Sequence, residues 1–159
     1  MPHTIDNIGQ LNVVEPARGN MGQPIAVDNS RVRVLVIDDN EEFRYLITDL
    51  LEPFGFEVIA IANPVKALEK FARERDQFQL VLLDYNMPQL DGAKTFECLK
   101  NLSPDVKVII VSGVEELRLR PILAQHHIDG YIRKPFRIQE ALHLIHHVMA
   151  RNGRNSIGT

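Results

Sequence analysis

Five residues capable of ionic or phosphoryl chemistry stand directly after short apolar runs in this chain. Asp38 and Asp39 follow the run Val32–Ile37, Asp84 follows residues 80–83, Ser112 follows residues 106–111, and Lys134 follows residues 130–133. A single Asp after a strand is ordinarily a turn residue or a helix cap. That reading does not account for two adjacent acids, a third acid, a hydroxyl and a lysine, all at such positions. If the fold brings the carboxylates together they cannot stay uncompensated. Two unit charges about 4 Å apart repel by roughly 4 kcal/mol at an effective dielectric near 20. The cluster must take up protons or hold a cation, and a hard divalent ion with oxygen ligands and several retained waters suits it. Lys134 can supply a second positive charge.

The elements that must position these residues are legible in the pattern. Val32, Val34, Leu35, Val36 and Ile37 make an almost continuous apolar run, which suits a strand buried on both faces of a parallel sheet. Phe43, Leu46, Ile47, Leu50 and Leu51 then recur at helical spacing behind an Asn40 cap, and Pro53 and Gly55 close that helix. Residues 56–61 form the second strand. Asn63-Pro64 is a cap followed by proline at the first helical position, and Val65, Leu68, Phe71 and Ala72 line the second helix. Residues 80–83 make the third strand, 95–102 lie in the third helix, and 106–111 make the fourth strand. A weaker helix, a fifth strand at 130–133 and a last helix at 138–149 complete the series, with Ala141, Leu142, Ile145 and Val148 on one face of that helix. Five short strands alternating with five helices predict a doubly wound α/β domain with a parallel sheet. Right-handed crossovers and the count fit the flavodoxin-like order 2-1-3-4-5. In such a sheet ligands bind at the carboxyl ends of the strands, near the first and third, and the three aspartates occupy that edge.

Composition sets the wider limits. The 159 residues leave room for one domain. Residues 31–152 read as that domain, residues 1–30 as a disordered arm rich in Gly, Asn, Pro and Gln, and residues 153–159 as a short polar tail. A docking peptide is the functional alternative for the arm. A formal net charge of -3 gives no nucleic-acid footprint, and no apolar stretch reaches membrane-spanning length. The arm lacks the apolar core of a signal peptide, so a cytoplasmic protein is expected. The single cysteine, Cys98, has no internal disulfide partner and reads as a packed or half-packed thiol.

Four segments together resemble the signature of response-regulator receiver domains: Val36-Ile37-Asp38-Asp39-Asn40, then Leu82-Leu83-Asp84-Tyr85-Asn86-Met87-Pro88-Gln89-Leu90-Asp91-Gly92, then Val111-Ser112-Gly113, and Lys134-Pro135-Phe136. The resemblance covers residues 31–152. It implies that Asp84 is the phosphoacceptor, the nucleophile that becomes an acyl phosphate. It implies that Mg²⁺ is the cofactor, held directly by Asp39, Asp84 and the backbone carbonyl of Asn86, with Asp38 acting through water. Ser112 matches the switch hydroxyl, Lys134 the lysine that pairs first with the acceptor and then with the phosphoryl group, and Tyr131 the aromatic switch residue. The Lys134-Pro135 bond matches a cis peptide. The implied partners are a histidine kinase or histidine phosphotransfer protein as donor and a downstream protein as target, with no nucleic acid and no membrane. Residues 151–159 are too few for an output domain, so a stand-alone switch is expected.

Two positions depart from the family pattern. Pro121 falls within the expected fourth helix, which should therefore start late or be kinked, and His127 stands where Gly would end that helix. His143, His146 and His147 have helical metal-site spacing, but without further ligands they read as a solvated or partner-facing stripe, as do His126 and His127. Arg118 and Arg120 read as solvated charges on a short helix. The alternative function is a Mg²⁺-dependent phosphohydrolase working through an aspartyl phosphate. It requires a second acid two residues after the nucleophile, where this chain has Asn86. A nucleotide-binding module also suits such a fold, but no Gly-rich phosphate loop follows the first strand.

Overall fold

A computed structural model describes residues 31–88, 91–123 and 128–151. The arm 1–30, the tail beyond 151, the pair Gln89 and Leu90, and the segment holding His126 and His127 lie outside the described residues. Expectations made for them concern that part of the chain.

The strands are β1 (Val32–Ile37), β2 (Phe56–Ile61), β3 (Leu80–Asp84), β4 (Lys107–Ser112) and β5 (Gly130–Arg133). All pair in parallel in the order β2-β1-β3-β4-β5. This is the flavodoxin-like order. The helices are α1 (Glu41–Leu51), α2 (Pro64–Glu74), α3 (Gly92–Leu102), α4 (Glu116–Leu123) and α5 (Ile138–Ala150).

Alternation along each strand separates two cores. Leu35, Ile37, Val81, Leu83, Val108 and Ile110 face one side, where Ala67 and Phe71 of α2, Phe96 and Leu99 of α3 and Leu119 of α4 cover them. Val34, Val36, Leu80, Leu82, Ile109 and Val111 face the other, under Ile47 and Leu51 of α1 and Ala141, Ile145 and Val148 of α5. Both faces of β1, β3 and β4 are thus dry, which is why those strands read as apolar runs rather than as alternating patterns. Truncating one of these fully buried side chains, such as Ile145→Ala, would cost about 2–5 kcal/mol.

Side chains cap the helices that flank the carboxyl edge. The Asn40 amide oxygen accepts from the Phe43 N–H at 2.9 Å, and the Asn63 oxygen accepts from Val65 at 2.9 Å and Lys66 at 3.2 Å. Asp91 caps α3 by accepting from the Ala93 N–H at 3.0 Å. At the opposite edge Asp129 ties α3 to the entry of β4, with the Lys100 ammonium at 2.8 Å, the Val108 N–H at 2.9 Å and Lys107 at 3.4 Å. No helix among the described residues is long and apolar enough to cross a membrane.

Several local expectations are corrected. Leu46 is 53% exposed and Val65 49%, and Ala72 is exposed, so these three face outward rather than lining the core. The fourth strand begins at Lys107 instead of Val106, whose N–H closes a turn onto the Ser103 carbonyl at 3.3 Å. Of the two accommodations expected for Pro121, a late start or a kink, the late start is not the one adopted. The fourth helix begins at Glu116, with Pro121 inside it. Burial of Leu119 in the core favours the helix over the local penalty of the proline.

Candidate functional site

The strand register brings the expected residues to one edge. Ile37 pairs with Leu83, Asp84 with Val111, and Ser112 with Arg133. Asp38 therefore leaves β1 beside the end of β3, Ser112 ends the next strand over, and Lys134 directly follows β5. One ligand atom from each of Asp38, Asp39 and Asp84 lies within 4.8 Å of the others. Asp38 is 1% exposed and Asp84 7%, whereas Asp39 is open to solvent.

Each buried acid has a distinct set of partners. Asp38 accepts from the Asn40 N–H at 2.8 Å through Oδ1 and from the Lys134 ammonium at 2.6 Å through Oδ2. Asp84 accepts from the Asn86 N–H at 3.1 Å. Burial pushes the Asp84 carboxyl above the usual range for an aspartate. The Asn86 N–H and the Lys134 charge oppose that shift, while the nearby charges of Asp38 and Asp39 add to it. The resemblance implied that Lys134 pairs with the acceptor, but in this structure its ion pair is with Asp38. Asp38 is the more deeply buried acid, and an ammonium is worth most beside the charge that water stabilises least.

The hydroxyl side of the site is also determined. Ser112 is fully buried, and its Oγ accepts from the Val114 N–H at 3.2 Å and from the Asn86 side-chain amide at 3.3 Å. The Ser112 carbonyl accepts from the Lys134 N–H at 2.8 Å and from the Tyr131 hydroxyl at 3.2 Å. The same hydroxyl donates to the Val114 carbonyl, so Tyr131 is tied to the segment that joins β4 to α4. Burial raises the Tyr131 phenol above its ordinary value. The Lys134-Pro135 peptide is cis, as the resemblance implied.

Three residues to which the sequence assigned no role in the site also shape it. The Arg44 guanidinium on α1 donates to the backbone carbonyls of Asp38 at 2.9 Å and Asp39 at 3.0 Å, fastening the acidic loop. The Phe43 ring lies under the Lys134 ammonium. Gly92 opens α3 so close to the chain after Asp84 that a Cβ there would sit 2.6 Å from the Tyr85 Cα. A basic residue and an aromatic one in the first turn after an acid pair were the only available signals for the first two. For the third, the signal was a glycine directly after a helix cap. By contrast, His143, His146 and His147 form no group with metal-binding geometry among the described residues.

The donor set suits a divalent cation. All the converging ligand atoms are carboxylate oxygens, and three carboxylates face one ammonium, which leaves two negative charges to be balanced.

Comparison with known proteins agrees with this arrangement. The sequence matches the response regulator receiver domain family over residues 34–146. It is 31% identical over 148 residues to a two-component response regulator of rice, Oryza sativa subsp. indica, a match that takes in 93% of this chain and 21% of the rice protein. The chain thus spans about a fifth of the length of the plant relatives it matches. The chemotaxis protein CheY of Bacillus subtilis is 31% identical over 114 residues, 71% of this chain and 93% of CheY. A response regulator receiver domain protein of Clostridium thermocellum superposes with a TM-score of 0.71 at 28% identity, covering 76% of this chain and 96% of that one. The chain belongs to the family of response regulator receiver domains.

Proposed function

We infer that this receiver is a phosphorylation switch whose acceptor is Asp84. The observation that carries the reading is the convergence of Asp38, Asp39 and Asp84 at the sheet edge beside the Lys134 ammonium. An Asp84 carboxylate oxygen attacks the phosphorus of a phosphohistidine. A P–O bond forms as the donor P–N bond breaks, and the leaving imidazole takes a proton from solvent. Such a transfer needs little covalent help beyond an in-line nucleophile and positive charge around the phosphoryl oxygens. Mg²⁺, held by Asp39, Asp84 and the Asn86 backbone carbonyl with Asp38 acting through water, would supply part of that charge when bound.

The chain's own residues would supply the rest. Lys134 gains a stronger partner once phosphoryl oxygens appear on Asp84. The Ser112 hydroxyl accepts from Val114 and Asn86 and keeps its own hydrogen for a phosphoryl oxygen, whose pull would draw it toward Asp84. Tyr131 then follows, because its hydroxyl is bonded to the Ser112 and Val114 carbonyls. The bias comes from contacts that exist only with the phosphoryl group present. We place the donor as a histidine kinase or histidine phosphotransfer protein. The output would be a protein contact or onward relay, in a cytoplasmic setting without nucleic acid or membrane. The protein would act as a switch rather than as a turnover enzyme, and Asn86, in the position where a hydrolase needs its general acid, supports that.

Acetyl phosphate with Mg²⁺ should add one phosphoryl group to the parent and none to Asp84→Ala, read by intact mass. Equal labelling of Asp84→Ala would overturn the assignment.

A further inference from the structure

The Lys134 ammonium is held on two sides. On one it meets the buried Asp38 Oδ2 at 2.6 Å, and on the other the Phe43 ring, whose centroid lies 3.9 Å from Nζ. The ring is itself fixed. Its backbone N–H is bonded to the Asn40 cap, and Phe136, two residues after Lys134, meets it edge-on with centroids 6.0 Å apart and planes at 82°. Asp38 cannot swing away either, because its other oxygen takes the Asn40 N–H. A lysine side chain carries considerable rotamer freedom, and that of Lys134 is still 26% exposed. An aliphatic residue at position 43 would fill the same apolar space but would offer the cation no negative ring face.

We propose that Phe43 is a positioning residue for the Lys134 ammonium, its ring face confining the cation within the carboxylate pocket so that it passes from Asp38 to the phosphoryl group on Asp84. The ligand oxygens of Asp38 and Asp84 lie within 4.8 Å of each other, so the transfer is short. The geometric half of the proposal stands on the contacts alone. The kinetic half rests on the reading of Asp84 as phosphoacceptor.

The test has two arms. In the metal-free protein, NMR of the Lys134 side chain should show its terminal resonances shifted upfield by the ring current, and Phe43→Leu should return them to free-lysine positions. Unshifted resonances in the parent would overturn the clamp. In the second arm, phosphorylation by acetyl phosphate is timed at saturating Mg²⁺ for the parent, Phe43→Leu, Phe43→Trp and a series in which the Phe43 ring alone carries one to three fluorines. Phe43→Leu should slow the reaction about fivefold, which converts to about 1 kcal/mol, the size of a partly exposed cation–π contact. The fluorine series should slow it stepwise while leaving the ring's shape nearly unchanged, and Phe43→Trp should keep the parent rate. A flat fluorine series would show that the ring acts by packing only and would overturn the proposal. Failure of the parent to take a phosphoryl group at Asp84 would overturn the proposed function and the kinetic half with it, while the ring-current result would decide the clamp by itself.

Discussion

Replacing Asp84 with asparagine should stabilise the metal-free protein, and that advantage should shrink as Mg²⁺ is added. Asp84 is 7% exposed and its carboxylate oxygen lies no more than 4.8 Å from those of Asp38 and Asp39. At that distance and an effective dielectric near 20, each repulsive pair costs about 3.5 kcal/mol. Burial of the charge adds to this cost, while the Lys134 ammonium, ion-paired to Asp38, offsets part of the repulsion, so roughly one pair's worth remains. Solvent around the exposed Asp39 reduces this further, to about 2 kcal/mol. Asparagine keeps an oxygen for the Asn86 N–H, so the local turn survives. In EDTA, Asp84→Asn should therefore melt about 6–10 °C above the parent for a domain of this size. With Mg²⁺ at tenfold over its dissociation constant, the parent gains about 1.4 kcal/mol through binding to the folded state alone, and more at higher excess. The variant, short of one anionic ligand, gains much less. The assay is thermal and urea unfolding of both proteins in EDTA and across a Mg²⁺ titration, with the curves converging as Mg²⁺ rises. An Asp84→Asn variant less stable than the parent in EDTA would refute the reasoning, because it would mean that Lys134 and the Asn86 N–H already outweigh the repulsion.

Four further outcomes are expected. Asp39→Ala should weaken Mg²⁺ binding more than Asp38→Ala, measured by calorimetry, since loss of a direct ligand outweighs loss of one acting through water; equal affinity of parent and Asp39→Ala would sink the ligand assignment. Gly92→Ala should destabilise the fold by about 1–3 kcal/mol in urea, because its Cβ would fall 2.6 Å from the Tyr85 Cα and 2.7 Å from its carbonyl oxygen, both backbone atoms with little room to move. Pro121→Ala restores a helical N–H donor inside α4 and should slow amide exchange across residues 116–123, an effect that would be absent if the helix were held by Leu119 packing alone. A chain starting near Asn29 should fold cooperatively and accept the phosphoryl group at the parent rate, and loss of a cooperative melt would show that the arm contributes to the core.

The sequence by itself determined the frame. Strands buried on both faces read as continuous apolar runs, and the caps Asn40 and Asn63 with Pro64 were visible because N-terminal capping is a local reaction between a side chain and the next few N–H groups. Placing Asp38, Asp39, Asp84, Ser112 and Lys134 at one edge followed from strand order, since the last residue of each parallel strand must lie at the same side of the sheet. The outward faces of Leu46, Val65 and Ala72 were less legible, because residues at the margin of a helical stripe fit the period equally well on either side of it.

Only the tertiary structure decided the pairings within the edge. A lysine side chain long enough to reach either buried acid is assigned by relative burial and by what else each acid accepts, and neither is encoded in spacing; hence Lys134 meets Asp38. Arg44 and Phe43 sit next to each other on α1 yet serve the acidic loop in different ways, one through the backbone carbonyls of Asp38 and Asp39 and the other through its ring face under Lys134. That division depends on how α1 seats on the sheet, with Ile47 and Leu51 buried in the core and Phe43 packed at its margin beside Phe136. Pro121 shows the same ordering of effects, since a local penalty of helix formation gives way where Leu119 is buried against the sheet.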